Sequence, residues 1–596
     1  MSGTPRHADP SHATISSRRP HVLRQYSLIA DGLRGALIGP HGDMAWMCFP
    51  AWHDAAVFAG LVGAGGGFAV CPEEPFVWGG YYEEGALIWR SRWVTPSAIV
   101  ECRDALGLPS ERGRAVILRR IEVMDGEAAM TISVEPAADY GREAVGRWSG
   151  RGDLRTWAQH DGGSHWRVSG VLGARTGAHG LVATVHVAKG DHHNVVLEIA
   201  SQPLPSAPPN PDDLWQETER AWSRVVPRCD GVEGRRDVRH AFAVLHGLTA
   251  PSGGTVAAAT TSLPERADKG RSYDYRYVWV RDLCYIGSAA AAAGVPEFVA
   301  PAVRFVTARL LADGAHLMPA YTIDGAPVPP QEHLGVRGYP GGMDVVGNHV
   351  REQFQLDTFG EALTLLAAAD AEGLLTPDGW QAARVAVAAI QSRWDEADAG
   401  IWELEPKWWA HSRLACVSGL RAIAARPRAA DERASWMAFA DQLLAATARS
   451  CTHPGGRWQR ATDDDRVDAA LLLAGVRGAV PADDPRQIAT YGGVRDALSE
   501  DGYVYRFHAD PSQPLGRAEG AFLLCNFWMT LAALKDGDVL AATRWFERGR
   551  AGCGPPGLFA EEFDVVQRQL RGNLPQAFVH ALLIEAAFAL TSAKER

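Results

Sequence analysis

Two short acidic stretches carry the side chains best suited to chemistry. "GIWELEPKWWAHS" places Glu403 directly after Ile401 and Trp402, with Trp408 and Trp409 close behind. A carboxyl held against tryptophan loses hydration, which favours its neutral form and raises its pKa toward that of a general acid. A loop glutamate in solvent is the plainer alternative. "GLFAEEFD" places Glu561 and Glu562 just after the glycine- and proline-rich "GRAGCGPP". This is either a solvated pair on a turn or half of a catalytic site. Two carboxyls in one cleft are the minimum for cleaving a glycosidic bond: one protonates the leaving oxygen, and the other activates water or attacks the sugar. A separation of about 6.5–9.5 Å admits a water and inverts the product, whereas about 5–5.5 Å implies retention.

"YDYRYVWVRDLCY" alternates Tyr273, Tyr275, Tyr277 and Trp279 before the adjacent Arg281 and Asp282. An aromatic wall ending in a charged pair can stack a sugar ring and bind its hydroxyls through charge-assisted hydrogen bonds. An amphipathic strand leading to an aspartate at a helix N-terminus, satisfied by the helix dipole, explains the same letters. "EQFQLDTFGE" spaces Gln353, Asp357 and Glu361 at i, i+4 and i+8, a stripe on one helical face whose structural reading is favoured. His192 and His193 fall in an expected hairpin turn, and His411 and His580 on or near expected helices, so no metal site is expected. "GAGGGF" lacks the strand–turn–helix setting and the lysine of a phosphate loop.

The elements that must position these residues change type along the chain. From about Gln25 to about Ser201, runs such as "RAVILRRIEVM" and "LVATVHVAKGDHHNVVLEIA" alternate apolar with polar residues between glycine-containing turns, as antiparallel strands of a β-sandwich do. "SQPLPSAPPNPDD" breaks that pattern, and "LWQETERAWSRVV" follows with a helical period. Beyond about Arg235 the periodicity predicts helices near 236–249, 282–293, 296–312, 351–369, 376–394, 408–425, 430–450, 465–474, 486–499, 518–534, 538–549 and 575–591. About twelve similar helices fit an (α/α)6 barrel better than a bundle. The expected organisation is a disordered tail 1–20, a β-sandwich 21–208, a linker helix 209–234 and a barrel 235–596. In such a barrel the loops at one end of the inner ring form a funnel, where binding residues collect.

Composition narrows the function classes. The chain has 596 residues, 46% hydrophobic and 22% charged, with a formal net charge of −11 and no long basic run. That argues against nucleic acid or an anionic membrane as partner. Twenty tryptophans against thirteen tyrosines is a heavy tryptophan load, suited to cores and to the C–H faces of sugars. The nine cysteines show no C-x-x-C spacing and read as reduced, buried thiols with neither a disulfide frame nor a zinc site. The first twenty residues lack an apolar signal core and no apolar run reads as a membrane span, so a cytoplasmic protein is expected.

"SYDYRYVWVRD", "EQFQLDTFGEAL", "AGIWELEPKWWAHSRL", "EGAFLLCNFW", "GLFAEEFD" and "GNLPQAFVHALLIEAA" occur in this order and resemble the successive motifs of glycoside hydrolase family 15. That family holds glucoamylases, bacterial and archaeal trehalases and related glucosidases, which invert the anomeric centre. "ADGLRGALIGPHGDMAWMCFP" is similar to the trehalase-like β-sandwich that precedes many prokaryotic members. The resemblance implies that Glu403 is the general acid and Glu561 the general base. It also implies that Glu562, Arg281, Asp282, Tyr275, Trp279 and Trp402 bind or line the subsite of the non-reducing glucose. Leu404, where many relatives have a polar residue, and the short "LEPKWWAHS" depart from the family pattern, and both bear on the leaving sugar.

The resulting expectation is an inverting, exo-acting hydrolase of a small α-glucoside, of glucoamylase or trehalase type, without metal or organic cofactor. A non-catalytic sugar-binding protein on the same barrel is the alternative, although a degenerate site should have lost an acid or the Arg–Asp pair.

Overall fold

The computed structural model describes residues 20–142, 146–158, 163–177, 180–266, 271–510 and 512–596. The expected tail 1–20 lies outside them except for Pro20. The chain divides into two compact units. One contains Leu87–Ala221 with the chain up to Glu83 and Gly335–Tyr339; the other contains Glu84–Ala86, Trp222–Leu334 and Pro340–Arg596.

The first unit is an antiparallel sheet of fifteen strands. Its organiser is the 22-residue strand Arg114–Glu135. Residues 114–126 pair with Ala98–Leu106 and His192–Ala200, while residues 127–135 pair with Gly67–Pro72 and Leu181–Ala188. The strand can change partners midway because Gly126 takes φ +77°, and a Cβ there would lie 2.0 Å from the Ser97 carbonyl oxygen. Side chains from both groups of strands share one core, with Ile38, Met44 and Phe68 from one and Trp93, Val100 and Ile117 from the other. A helix, α1 (Pro211–Val225), starts directly after the proline-rich break, and the division between the units falls within it.

In the second unit the described residues form α2 (Arg235–Leu248), α3 (Val280–Ala292), α4 (Pro296–Asp313), α5 (Asp357–Ala371), α6 (Pro377–Arg393), α7 (Ala410–Ala424), α8 (Arg433–Ser450), α9 (Leu473–Val476), α10 (Pro485–Ala497), α11 (Leu523–Lys535), α12 (Val539–Arg550) and α13 (Ala577–Glu595). Helices α3, α5, α7, α9, α11 and α13 pack in that cyclic order, with α13 returning to α3. A second set flanks them: α4 against α3, α6 against α5, α8 against α7, α12 against α11 and α2 against α13.

Residue pattern sorts the two sets. In α8 the buried side chains Trp436, Ala440, Leu443 and Thr447 form a single stripe, as on a helix with one dry face. In α11 everything from Leu523 to Ala533 is buried, as on a helix covered all round. The same reason makes α13 long and apolar enough to cross a membrane by length and composition, yet most of that stretch is buried within the unit.

Helices α5 and α7 make the closest approach. A Cβ on Gly360 would sit 2.4 Å from the backbone carbon of Ala415, and one on Gly419 would sit 2.2 Å from the Gly360 carbonyl oxygen. Alanine is worth about 1 kcal/mol over glycine in a helix interior. Overpacking against backbone costs about 1–3 kcal/mol, and here the clash is with atoms that cannot rotate away. Gly360→Ala is therefore expected to lower the thermal midpoint of the helical unit, read by circular dichroism; an unchanged or raised midpoint would show that the two helices part freely.

Candidate active site

The helices of the closed ring share one end. The chain just before or at the N-terminus of α3 supplies Tyr275, Trp279, Arg281 and Asp282, the turn before α7 supplies Glu403, and the residues just ahead of α11 and α13 supply Phe522 and Gln576. Together they line one pocket. Helix N-termini carry partial positive charge and unsatisfied N–H groups, so this end of the ring is where carboxylates are least costly to gather.

Glu403 sits in a turn closed by the hydrogen bond from its N–H to the Gly400 carbonyl, and its φ is +54°. A left-handed non-glycine residue costs on the order of 1–2 kcal/mol and persists only where its surroundings impose it. The loop is fastened at its base by Asp398, which pairs in both directions with the Lys407 backbone, accepts from the Gly400 N–H and Ser412, and bonds the buried Arg413. The Glu403 Oε1 accepts from Trp279 Nε1 at 2.6 Å, Arg281 Nη2 at 3.3 Å and Gln355 Nε2 at 3.3 Å. The indole in contact with this carboxyl is thus Trp279, not the sequence neighbour Trp402. Trp402 lines the pocket but turns its N–H to Asp468, at 2.9 and 3.1 Å.

Arg281 and Asp282 occupy the first turn of α3 and both line the pocket. Arg281 donates to Gln355 at 2.7 Å and lies 3.7 Å from Asp357, the first residue of α5. Burial pushes the Asp357 carboxyl up to about 7 and that of Asp282 up to about 6, with Arg281 opposing both shifts. The Asp282 Oδ1 lies 3.5 Å from Arg281 Nε, a buried ion pair within the first turn of α3 at the edge of the pocket.

Glu561 faces the same pocket from the other side, and its Oε2 accepts from the Tyr275 hydroxyl at 3.0 Å. Burial, then the charge of Glu265, pushes its carboxyl up to about 8. Tyr275 meets Trp279 edge to face at 5.5 Å, so the two carboxyls are joined by a continuous run of contacts, Glu561–Tyr275–Trp279–Glu403. Glu562 differs. It begins the strand Glu562–Asp564, is fully buried and is absent from the pocket lining. Alternation along the strand sends its side chain to the opposite face, where Oε2 accepts from the Gly520 N–H at 2.7 Å. The expected substrate contact at Glu562 is therefore replaced by a place behind the wall, where burial raises its carboxyl well above the usual range.

Several pocket residues escape the sequence reading. Glu265 and Arg271 form an ion pair at 3.0 Å, and Arg506 lines the pocket while bonding Glu519 at 2.9 and 2.6 Å. The expected helical stripe through Gln353 fails because α5 begins only at Asp357. Gln353 lies in an extended stretch and accepts from Gln355, and Gln355 reaches the site. Asp357 and Glu361 are buried on α5 as expected; Glu361 accepts from Tyr285 at 2.8 Å. His411 is buried on α7, which drives its imidazole down to about 3.

The model for glycosyl hydrolases family 15 matches residues 239–588, the ring and its pocket. The chain belongs to glycosyl hydrolases family 15. It is a glycoside hydrolase, and its residues 12–204 match a second family described as trehalase-like, N-terminal. A curated relative, the trehalase of Mycolicibacterium smegmatis, is 29% identical over 96% of this hydrolase and 92% of its own length. The trehalase of Thermoplasma acidophilum is 25% identical, covering 94% and 98%. Among solved structures, a bacterial glucoamylase complexed with acarbose superposes with a TM-score of 0.70 over 96% of this family 15 hydrolase and 95% of its own chain, at 13% identity, a likeness of fold.

The buried Glu562 supplies a test. A carboxyl whose folded pKa is raised stabilises the fold fully at low pH and loses that contribution as pH rises through the raised value. Glu562→Gln, which keeps the acceptor for the Gly520 N–H, should flatten the alkaline fall in stability and leave KM unchanged. A large rise in KM would place Glu562 on the substrate instead.

Proposed function

We propose that this hydrolase cleaves α,α-trehalose to two glucoses with inversion, in an (α/α)6 barrel that follows a β-sandwich. The closed order of six helices with flanking partners supports the barrel, and the core shared by two groups of strands supports the sandwich. The division of the chain at Ala221 and Trp222 supports a boundary within the expected 209–234. A cytoplasmic setting remains part of the proposal.

The observation that carries the chemistry is that Glu403 and Glu561 line one pocket with Arg281 and Asp282, and that each carboxyl has one oxygen already engaged. Glu403 Oε1 is taken by three N–H donors, so Oε2 carries the acid proton. Glu561 Oε2 is taken by Tyr275, so Oε1 faces the water. Glu403 gives its proton to the glycosidic oxygen as the C1–O bond breaks. Glu561 takes a proton from the water whose oxygen bonds C1 on the opposite face. Arg281 and Asp282 hold the hydroxyls of the glucose being attacked, with Trp279, Trp402 and Tyr275 against its ring. Both carboxyls are then reset by exchange with solvent.

Trehalose is favoured over maltose-type substrates because the relatives that match along nearly the whole chain are named trehalases.

Glucose release should be fastest from trehalose in a panel with maltose, isomaltose and maltotriose; a clear preference for maltotriose would sink the trehalose assignment. On the preferred substrate, Glu403→Gln and Glu561→Gln should each cost on the order of 10²–10⁴-fold in kcat. Near wild-type turnover in either variant would remove that residue's role. Tyr275→Phe should cost about 10–100-fold in kcat with little change in KM, the worth of one hydrogen bond to a charged group; a change confined to KM would make Tyr275 a binding residue.

A further inference from the structure

Glu265 is a second carboxylate beside the base, and none of the chemistry above uses it. It lies in "SLPER", ahead of the aromatic run, and lines the same pocket as Glu561. Backbone fixes it there. The Gly572 N–H donates to the Pro264 carbonyl at 2.8 Å, tying the residue before Glu265 to the end of the strand Gln569–Arg571, which pairs with the strand following Glu561. Gly572, at φ +80°, leaves a gap that both acids border. A Cβ placed on it would meet Glu561 Cβ at 3.6 Å, Glu561 Oε2 at 3.9 Å and Glu265 Cγ at 3.9 Å. Glu265 is itself buried, its N–H donates to the Arg271 carbonyl, and its Oε2 holds Arg271 Nε at 3.0 Å.

Resting on the assignment of Glu561 as base, we propose that Glu265 is a positioning residue for hydrolysis: it holds a second negative charge, balanced by Arg271, against Glu561 and so sets how strong a base Glu561 is. A neighbouring anion disfavours ionisation of Glu561, and a carboxylate that gives up its charge more readily takes the water's proton more readily. Arg271 limits that effect, so the pair acts as an adjustable field at the base. The rise in the Glu561 carboxyl already attributed to Glu265 runs in this direction.

The other charged and titratable groups around Glu561 come from several elements. Tyr275 donates to it, Asp282 faces it from α3, and Arg506 faces it while tied to Glu519. Glu562 lies behind on its own strand, and Glu403 and His349 line the pocket. Arg271 also lies 3.9 Å from Glu519, and the charge of Glu265 acts on Arg506, Tyr275 and Glu562, so it is the comparison with Glu265→Asp, which keeps the charge, that isolates the pair.

The test is the pH profile of kcat/KM for the full chain on p-nitrophenyl α-D-glucoside and on trehalose. The aryl glucoside has a good leaving group, so it reports on the base and keeps the result separate from whether trehalose is the substrate. Glu265→Gln should move the acid limb to lower pH by about one unit and lower kcat, because the anion that opposed ionisation is gone. Arg271→Gln should move the same limb to higher pH, because the anion is left unbalanced. Glu265→Asp, which keeps the charge, should hold the wild-type limb and carries the test if Glu265→Gln fails to fold. A merely structural pair would shift neither limb, or both in the same direction, and either result overturns the proposal. Azide supplies a second check. It should restore turnover to Glu561→Ala and not to Glu265→Ala; rescue of Glu265→Ala alone would make Glu265 the base.

Discussion

Crowding negative charge into one pocket is the constraint on which the helical unit turns. Glu265, Glu403, Glu561 and Asp282 line one cavity, with Asp357, Glu519 and Glu562 buried close to it. Like charges at such distances cannot all ionise without compensation. The compensation comes from Arg281, Arg271 and Arg506, each paired with one of these acids, and from the N-termini of the ring helices pointed at the same space. The result is a set of carboxyls with different environments. Glu403 receives three N–H donors, while Glu561 has a tyrosine hydroxyl and a neighbouring anion. The carboxyl pushed up to about 8 is that of Glu561, the proposed base, so the acid and base roles rest on the family resemblance and not on this asymmetry.

The ring is built to tolerate the constraint. Its helices are apolar on nearly every side, so the dry interior below the pocket is held by packing such as the glycine contact between α5 and α7. The polar groups that penetrate it are satisfied in pairs. Tyr285 bonds Glu361, and Arg477 bonds Glu585 while lying over the Tyr285 ring. Rigidity at the helix starts then passes to the loops that line the pocket. The left-handed turn at Glu403 is fastened by Asp398, and the indole of Trp402 is turned by Asp468, the N-cap of the short turn leading into α9.

Much of this was legible in the chain. Helical periodicity located α3, α5, α7, α11 and α13, whereas the expected helix 465–474 meets the short α9 (Leu473–Val476) only at its last two residues, the preceding Ala469–Leu472 being a 3-10 turn. Taken alone, "WVRD", "GIWE" and "GLFAEE" left plainer readings open; their order along the chain, resembling the motifs of one family, made the acids candidates. What stayed hidden depends on geometry that spacing does not encode. Glu265 was not singled out, because its neighbour Glu561 is some 300 positions away in the chain. Gln355 was concealed by the assumption that the helix began before it; the extended stretch ahead of α5 turns Gln355, not Gln353, toward Arg281. Glu562 was read as a partner of Glu561, yet adjacent residues on a strand face opposite ways, and that alternation could have been applied to "AEEFD" had the strand been recognised.

The central claim is that Glu561 directs a water to the face of the sugar opposite the oxygen protonated by Glu403. Proton NMR of the anomers in the first minutes of trehalose hydrolysis, before mutarotation, tests it most directly. Inversion at one ring with release of the other unchanged predicts β- and α-glucose in equal amounts. Formation of α-glucose alone would mean retention, and with it a Glu561 that attacks the sugar rather than the water.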